Sequence, residues 1–74
     1  MSVRMIEQVP VWYSKPERAA AKALRVSKRT AETCFVVKDH TNGMYGVGIG
    51  EEEPQWVKDT DGMEFWIKIN PPVH

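Results

Sequence analysis

Three residues in one short stretch carry side chains that can do nucleophilic or acid–base chemistry: Cys34, Asp39 and His40. A cysteine nucleophile works with a histidine base and a third group that orients the base. The reactive thiolate needs a cationic, partly exposed setting, whereas Cys34 stands among apolar neighbours and is typical of a small buried hydrophobic residue. We therefore predict no catalytic residue and no enzymatic activity.

Groups that would hold a metal ion or a cofactor are too few or wrongly placed. One cysteine and two histidines cannot supply the three or four ligands of a zinc site. The run from Glu51 to Glu53 is too short for a calcium loop and is typical of a solvated turn. Gly46, Gly48 and Gly50 lack the helix that follows a phosphate-binding loop, and instead let Phe35 lie close to the backbone. We predict no metal, no cofactor and no small-molecule substrate.

The residues from Glu17 to Ala31 repeat with the period of an α-helix. The side predicted to pack on a sheet holds Ala19, Ala20, Ala23, Leu24 and Val26. The opposite side holds the cations Arg18, Lys22, Arg25 and Arg29, with Lys28 in the last turn. The row is about three helical turns long. These cations are therefore predicted to bind the phosphates or carboxylates of a macromolecular partner.

The zero net charge of the chain conceals a strong asymmetry. Residues 1 to 38 hold eight Lys/Arg against three Asp/Glu, and residues 39 to 74 hold two against seven, so the two parts carry +5 and −5. Such a division suits a basic surface for an acidic partner, and it equally suits two halves that attract each other within the fold. Composition leaves both interpretations open.

Trp66 lies on the polar side of a predicted strand, between Glu64 and Lys68. An aromatic side chain in that position is either half covered by the aliphatic stems of neighbouring cations or is an anchor for a partner. Both interpretations stay open, and Trp66 joins the five cations as a candidate partner-binding residue.

The local signals before the basic segment predict an edge strand and a helix start. Val3 to Tyr13 is rich in strand-forming residues, and Pro10 restricts it to an irregular edge. Ser14 and Glu17 have the spacing of a capping box, and Pro16 suits the first turn of a helix because its missing N–H has no partner there.

Two tight turns predict two hairpins after the helix. Asn42-Gly43 is expected to close a two-residue loop that pairs Val36 with Ile49 and places Phe35 over glycine. Asp61-Gly62 is expected to join a strand over residues 56–60 to a second strand over residues 63–69. In that hairpin Trp56 would share a face with Phe65, Ile67 and Ile69.

The fold class predicted from these elements is α+β, in one domain over residues 1–74. One amphipathic helix packs on a small antiparallel sheet of two hairpins plus an N-terminal edge strand. The 42% apolar fraction and seven aromatic residues (Trp 3, Tyr 2, Phe 2) are sufficient for a small core. A single cysteine and the lack of an apolar leader or spanning segment favour a cytoplasmic protein with no membrane contact.

The segment from Ala20 to Cys34 resembles the helix-turn-helix motif of bacterial and phage repressors and of small excisionase-like proteins. The motif has a small residue at the position of Ala21 and a Val-Ser pair at the end of its turn, here Val26-Ser27. Its apolar positions are occupied here by Ala20, Leu24, Val26, Ala31 and Cys34. The resemblance implies that a second helix enters the major groove and brings Ser27, Lys28, Arg29 and Thr33 near bases or phosphates. The composition of residues 33–37 favours a strand instead, so a second helix and a strand remain alternatives.

Two functions therefore compete at this point. The first is DNA binding through the basic helix, as a regulator or accessory factor of phage or bacterial type. The second is a protein-binding inhibitor or adaptor of phage type that uses the basic helix face or the sheet against an acidic protein surface of a host complex. The two differ over residues 33–37, which are helical in the first and extended in the second. The oligomeric state is open, with a dimer allowed.

Overall fold

The computed structural model of the protein describes residues 4–5 and 12–72. These residues form five strands and two helices in the order β1 Arg4–Met5, β2 Trp12–Tyr13, α1 Pro16–Thr30, β3 Cys34–Asp39, β4 Met44–Ile49, α2 Gln55–Asp59 and β5 Met63–Ile69. The predicted class is confirmed, because a 15-residue helix packs on an antiparallel sheet.

The sheet has β3 and β4 at its centre. Its strand order is β1-β4-β3-β5, and β2 also pairs with β4, so β1 and β2 share one edge and β5 forms the other. The predicted N-terminal edge strand is thus present in two short parts, and its remaining residues lie outside the described part of the chain. Every pairing is antiparallel.

The first turn of helix α1 differs from the one that the sequence predicts. Its N-cap is Lys15, which makes no side-chain capping hydrogen bond, so the capping box predicted from Ser14 and Glu17 does not form. Pro16 occupies the first helical position as predicted, and its fixed φ suits that position. The helix ends at Thr30, and Ala31 adopts the left-handed conformation with φ 58°.

Each face of the sheet carries its own hydrophobic cluster. The α1 side is formed by Ala19, Ala23, Val26, Cys34, Val36, Val47 and Ile49, with Tyr13, Tyr45, Ile67 and Ile69 packed against them. The α2 side is formed by Phe35, Val37 and Val57, with Trp12, Trp56, Met63 and Phe65 packed against them. Residues 34–37 are fully buried because β3 is central and covered on both faces.

The first hairpin forms with a register two residues away from the predicted one. Val36 pairs with Val47 rather than Ile49, and the loop spans residues 40–43. The reason is local: the Asp39 carboxylate accepts hydrogen bonds from the Thr41 N–H at 2.9 Å and its hydroxyl at 2.5 Å. These bonds start the turn early, and of the residues in the loop only Gly43 has positive φ. A two-residue type I′ turn needs positive φ at both central residues.

The predicted second hairpin is wrong in its first strand. Residues 55–59 form the short helix α2 after Pro54, and β5 pairs with β3 instead. Two side-chain bonds support the helical turn: Thr60 Oγ1 donates to the Trp56 carbonyl at 2.6 Å, and Gln55 Nε2 donates to Asp59 Oδ1 at 2.9 Å. Val57 is buried against the α2 side of the sheet, in the cluster of Phe35 and Val37.

A bulge in β5 places Phe65 and Ile67 on opposite faces of the sheet, although regular strand alternation predicts one shared face. Val36 pairs with Ile67 and Val37 pairs with Phe65, which leaves Trp66 as an extra residue between them. An extra residue shifts the alternation of faces by one. Phe65 therefore packs on the α2 side and Ile67 on the α1 side, contrary to the prediction that they share a face.

Candidate partner-binding surface

Small residues set the contact between α1 and the sheet. Ala19 and Ala23 are fully buried, and Ser27, four residues further on, is buried as well. This spacing of four places the three short side chains on one side of the helix. The Ser27 hydroxyl is satisfied because it donates to the Glu32 carbonyl at 2.8 Å. The short side chains therefore set which side of the helix faces the sheet.

The predicted cation row lies on the flank of α1 rather than directly opposite its buried side. Three of the four cations of the row precede a buried residue by one position: Arg18 precedes Ala19, Lys22 precedes Ala23 and Arg25 precedes Val26. One residue corresponds to about 100° of rotation in an α-helix. One member of the row, Lys22, is half-buried and makes an interaction within the chain.

Four other cations of α1 are exposed, and we call them the α1 cation surface: Arg18, Arg25, Lys28 and Arg29. Within residues 4–5 and 12–72, none of the four makes an ion pair or a side-chain hydrogen bond. Two carboxylates of the second half bind groups outside α1. Glu64 binds His40 (Oε2 to Nε2, 2.6 Å), and Asp39 binds Thr41. In the described chain the α1 cation surface is thus not neutralised by internal pairing.

Leu24 is exposed, although the helical wheel placed it in the core. Its side chain retains 40% of its accessible surface. Because the row of small residues Ala19, Ala23 and Ser27 faces the sheet, the helix is rotated so that Leu24 lies on the outer side. The signal for this rotation is present in the sequence as three small residues spaced four apart, which mark the close approach of a helix to its neighbour.

The helix-turn-helix geometry does not form in this region. Helix α1 runs without interruption through Arg25, where the motif places its turn, and residues 34–37 belong to the central strand β3. The motif prefers glycine at this turn because the backbone there has positive φ, whereas Arg25 does not have it; Ala31 is the one non-glycine residue of the described chain with that conformation. The β-branched and aromatic composition of residues 33–37 thus prevails over the motif-like spacing. Ser27 and Thr33 are not groove-facing residues of a second helix.

Trp66 lies against Tyr45 on the α1 side of the sheet. The ring centroids are 5.4 Å apart and tilted by 56°. Tyr45 in turn packs against the cluster beneath α1, and the Lys38 Nζ lies 5.7 Å from the Tyr45 ring centroid. Trp66 still exposes 39% of its surface. The sequence indicated Trp66 but not Tyr45 or Lys38, because their approach depends on the bulge and on the true register of the hairpin.

Of the three residues with possible catalytic chemistry, Cys34 is held apart from the other two. Cys34 begins β3, whereas Asp39 ends the strand and His40 starts the following turn. Burial, with a smaller contribution from the charge of Glu32, raises the pKa of the Cys34 thiol, so the reactive thiolate is disfavoured. Among the described residues there is also no group of three or more side chains suited to hold a metal ion.

Comparison with known proteins gives no relative for this chain: no family model, no curated protein and no solved structure matches it. Neither described helix has the length and apolar character that a membrane crossing requires.

Proposed function

We propose that this chain is a non-enzymatic protein-binding module, an inhibitor or an adaptor, that presents the α1 cation surface to an acidic surface of another protein. The observation that carries the proposal is the exposure of Arg18, Arg25, Lys28 and Arg29 on one regular helix, without internal ion pairs in the described chain. Exposed charges arranged in this way accelerate association with an oppositely charged partner and set its orientation.

DNA binding is the competing function, and the α1 cations would also attract phosphates. Sequence-specific DNA binding by the motif considered above needs a second helix in the major groove. Residues 34–37 are the central strand of the sheet, buried on both faces, and cannot be that helix. The exposed run Glu51, Glu52 and Glu53 would in addition repel a duplex that approached the sheet. These features favour a protein partner over DNA.

The test is a capture experiment in which the full chain is immobilised on a solid support and incubated with bacterial lysate that has or has not been treated with nuclease. We expect a bound protein that survives nuclease and that is reduced about tenfold or more by the double variant Arg25→Glu, Arg29→Glu, because reversed interface charges repel an acidic partner. A duplex DNA mobility assay at low salt accompanies it, and we expect no shift.

The matched control is Lys58→Glu with Lys68→Glu, which changes the net charge by the same amount at two exposed positions away from α1. Lys58 lies on α2, and Lys68 pairs opposite Phe35 on the α2 side of β5. Capture that is lost after nuclease, or a mobility shift abolished by the α1 double variant alone, would establish DNA binding instead. Equal loss in both double variants would show a net-charge effect and reject α1 as the contact.

A further inference from the structure

The outer side of α1 carries an apolar patch between two opposite charges. Leu24 retains 40% of its accessible surface, and Ala21, on the preceding turn, is exposed as well. Glu17 lies one turn before Ala21 and Lys28 one turn after Leu24, and both are exposed. At about 100° per residue these four side chains fall within an arc of about 60°, and its middle lies about 145° from the middle of the buried side of the helix. We name this surface the Leu24 strip: Glu17, Ala21, Leu24 and Lys28.

The charges at the two ends of the Leu24 strip are not paired within the described chain. Across residues 4–5 and 12–72, neither Glu17 nor Lys28 makes an ion pair or a side-chain hydrogen bond. The two residues are eleven positions apart, so about 16 Å of helix separates them, which is too far for an ion pair within α1. A complementary partner therefore has to carry a cation opposite Glu17 and an anion opposite Lys28.

The spacing of the Leu24 strip is the same in both directions along the helix. Ala21 follows Glu17 by four positions, Leu24 follows Ala21 by three, and Lys28 follows Leu24 by four. Two copies of α1 related by a two-fold axis run antiparallel, and this alignment places Glu17 opposite Lys28 of the second copy at both ends. It also places Leu24 opposite Ala21 of the second copy, whose short side chain leaves room for the leucine. A parallel alignment would instead bring like charges together.

We infer that the Leu24 strip binds a second copy of this chain, with the two α1 helices packed antiparallel. Because the strip lies nearly opposite the buried side of α1, both sheets stay outside the helix pair. The arginines on which the proposed function rests, Arg18, Arg25 and Arg29, lie about 90° around the helix from the strip, so that function does not depend on this contact. One exposed leucine per copy makes a small interface, which gives a weak dimer.

The test measures the mass of the full chain by sedimentation equilibrium over a range of concentrations. We expect the wild-type chain to dimerise with a Kd between about 10 μM and 1 mM, as a small interface gives. Glu17→Lys and Lys28→Glu each bring like charges together at both ends of the dimer, and each is expected to weaken it about tenfold. A mixture of these two variants is expected to regain association, because both ends of the heterodimer again hold opposite charges.

The matched control is a mixture of Glu53→Lys and Lys58→Glu, which make the same charge changes at exposed positions outside α1. These variants are expected to dimerise like the wild-type chain, both alone and mixed. Leu24→Ala removes the apolar contact in both copies and is expected to weaken the dimer about tenfold. Circular dichroism of each variant checks that the helix is retained.

A wild-type chain that remains monomeric up to about 1 mM overturns the inference and leaves the proposed function in place. A dimer that is unchanged by Leu24→Ala and by both α1 charge reversals uses another surface, which rejects the Leu24 strip. If the mixture of Glu17→Lys and Lys28→Glu fails to regain association, the antiparallel pairing is rejected. An equal gain in the control mixture would show a net-charge effect and would reject the pairing too.

Discussion

The two faces of the sheet are covered by different means. On the α1 side a regular 15-residue helix approaches closely because Ala19 and Ala23 are small. On the α2 side a helix of only five residues supplies Val57, and aromatic side chains fill the remaining space. Phe35 is the centre of this second cluster, stacked on Phe65 with ring centroids 5.3 Å apart.

This difference in covering also determines which side chains each side of the protein exposes. A regular helix that buries one side necessarily presents the others, and α1 presents cations and Leu24 there. The α2 side uses its apolar side chains for packing, and its best-defined feature is the close contact of the Phe35 ring with Gly48. A Cβ at Gly48 would lie within 2.9 Å of three atoms of that ring. The α2 side is thus primarily structural, whereas the α1 side combines packing with a candidate interface.

Substitutions at two adjacent residues of β3, which point to opposite faces of the sheet, test how much each side contributes to stability. Both Phe35 and Val36 are fully buried. We expect Phe35→Ala to lower the free energy of unfolding by about 3–5 kcal/mol, because it empties the centre of the α2-side cluster. Val36→Ala is expected to cost only about 2 kcal/mol, since it removes two methyl groups from a cluster that α1 still covers. Urea unfolding monitored by circular dichroism measures both.

The two variants together decide whether the α2 side contributes as much to stability as its buried residues indicate. In a domain of this size a loss of about 5 kcal/mol is comparable with the whole free energy of unfolding, so Phe35→Leu is included as a milder change. If Phe35→Ala proved no more damaging than Val36→Ala, the α2 side would be an accessory layer and α1 alone would hold the sheet.

The same contrast explains which parts of the fold the sequence predicts. Helix α1 follows from the 3.6-residue period of residues 17–31, and the β3–β4 hairpin follows from strand-forming residues around a turn. The prediction that Phe35 lies over a glycine of the neighbouring strand is confirmed, and that glycine is Gly48, because a register that differs by two residues preserves which face each residue occupies.

The elements that the sequence analysis missed depend on single local interactions or on distant pairings. The sequence of helix α2 resembles a strand because Trp56 and Val57 favour strands, whereas the helical turn is stabilised by two side-chain hydrogen bonds and the burial of Val57, which local propensity does not predict. The pairing of β5 with β3 joins residues about 30 positions apart, and no turn signals it. The Tyr45–Trp66 contact follows from that pairing and its bulge, so periodicity alone cannot predict it.

On the α1 side, the residue that follows the end of the helix has a conformation that suits glycine better than alanine. Ala31 has φ 58°, a conformation that costs an L-residue about 1–2 kcal/mol and glycine almost nothing. Part of this gain is lost, because glycine gives the unfolded chain more conformational freedom, which lowers the free energy of unfolding by about 0.4–1 kcal/mol. We therefore expect Ala31→Gly to stabilise the protein by about 0.5–1 kcal/mol in urea unfolding.

The matched control for Ala31→Gly is the same substitution at Ala21, an exposed position within α1. Glycine inside a helix costs about 1 kcal/mol relative to alanine. The two substitutions are thus expected to have opposite signs. Destabilisation by both would mean that the left-handed conformation at residue 31 carries no penalty that glycine can relieve.

The smallest expected effect lies in the β3–β4 turn, which belongs to neither packed face. The Thr41 hydroxyl and then the Thr41 backbone N–H donate to Asp39, and these bonds lower the pKa of its carboxyl below the ordinary value of 3.8, with a smaller contribution from His40. A carboxyl whose pKa is lowered by folding stabilises the protein above its unfolded pKa. That contribution is therefore full above about pH 4 to 5 and is lost as the pH falls through the lowered, folded value.

Thr41→Ala removes the hydroxyl donor and is expected to move the pKa of Asp39 up towards 3.8, whereas Thr41→Ser keeps the donor and the lowered pKa. The carboxyl carbon shift of Asp39, followed by NMR from neutral to acidic pH, measures the change. Because the carboxyl is exposed, its bonds compete with water, and we expect the transition from folded to acid-unfolded protein to move only slightly to higher pH in Thr41→Ala. Identical titration of Asp39 in the two variants would mean that the backbone N–H alone holds the turn, and the early start of the hairpin loop would then not depend on the threonine hydroxyl.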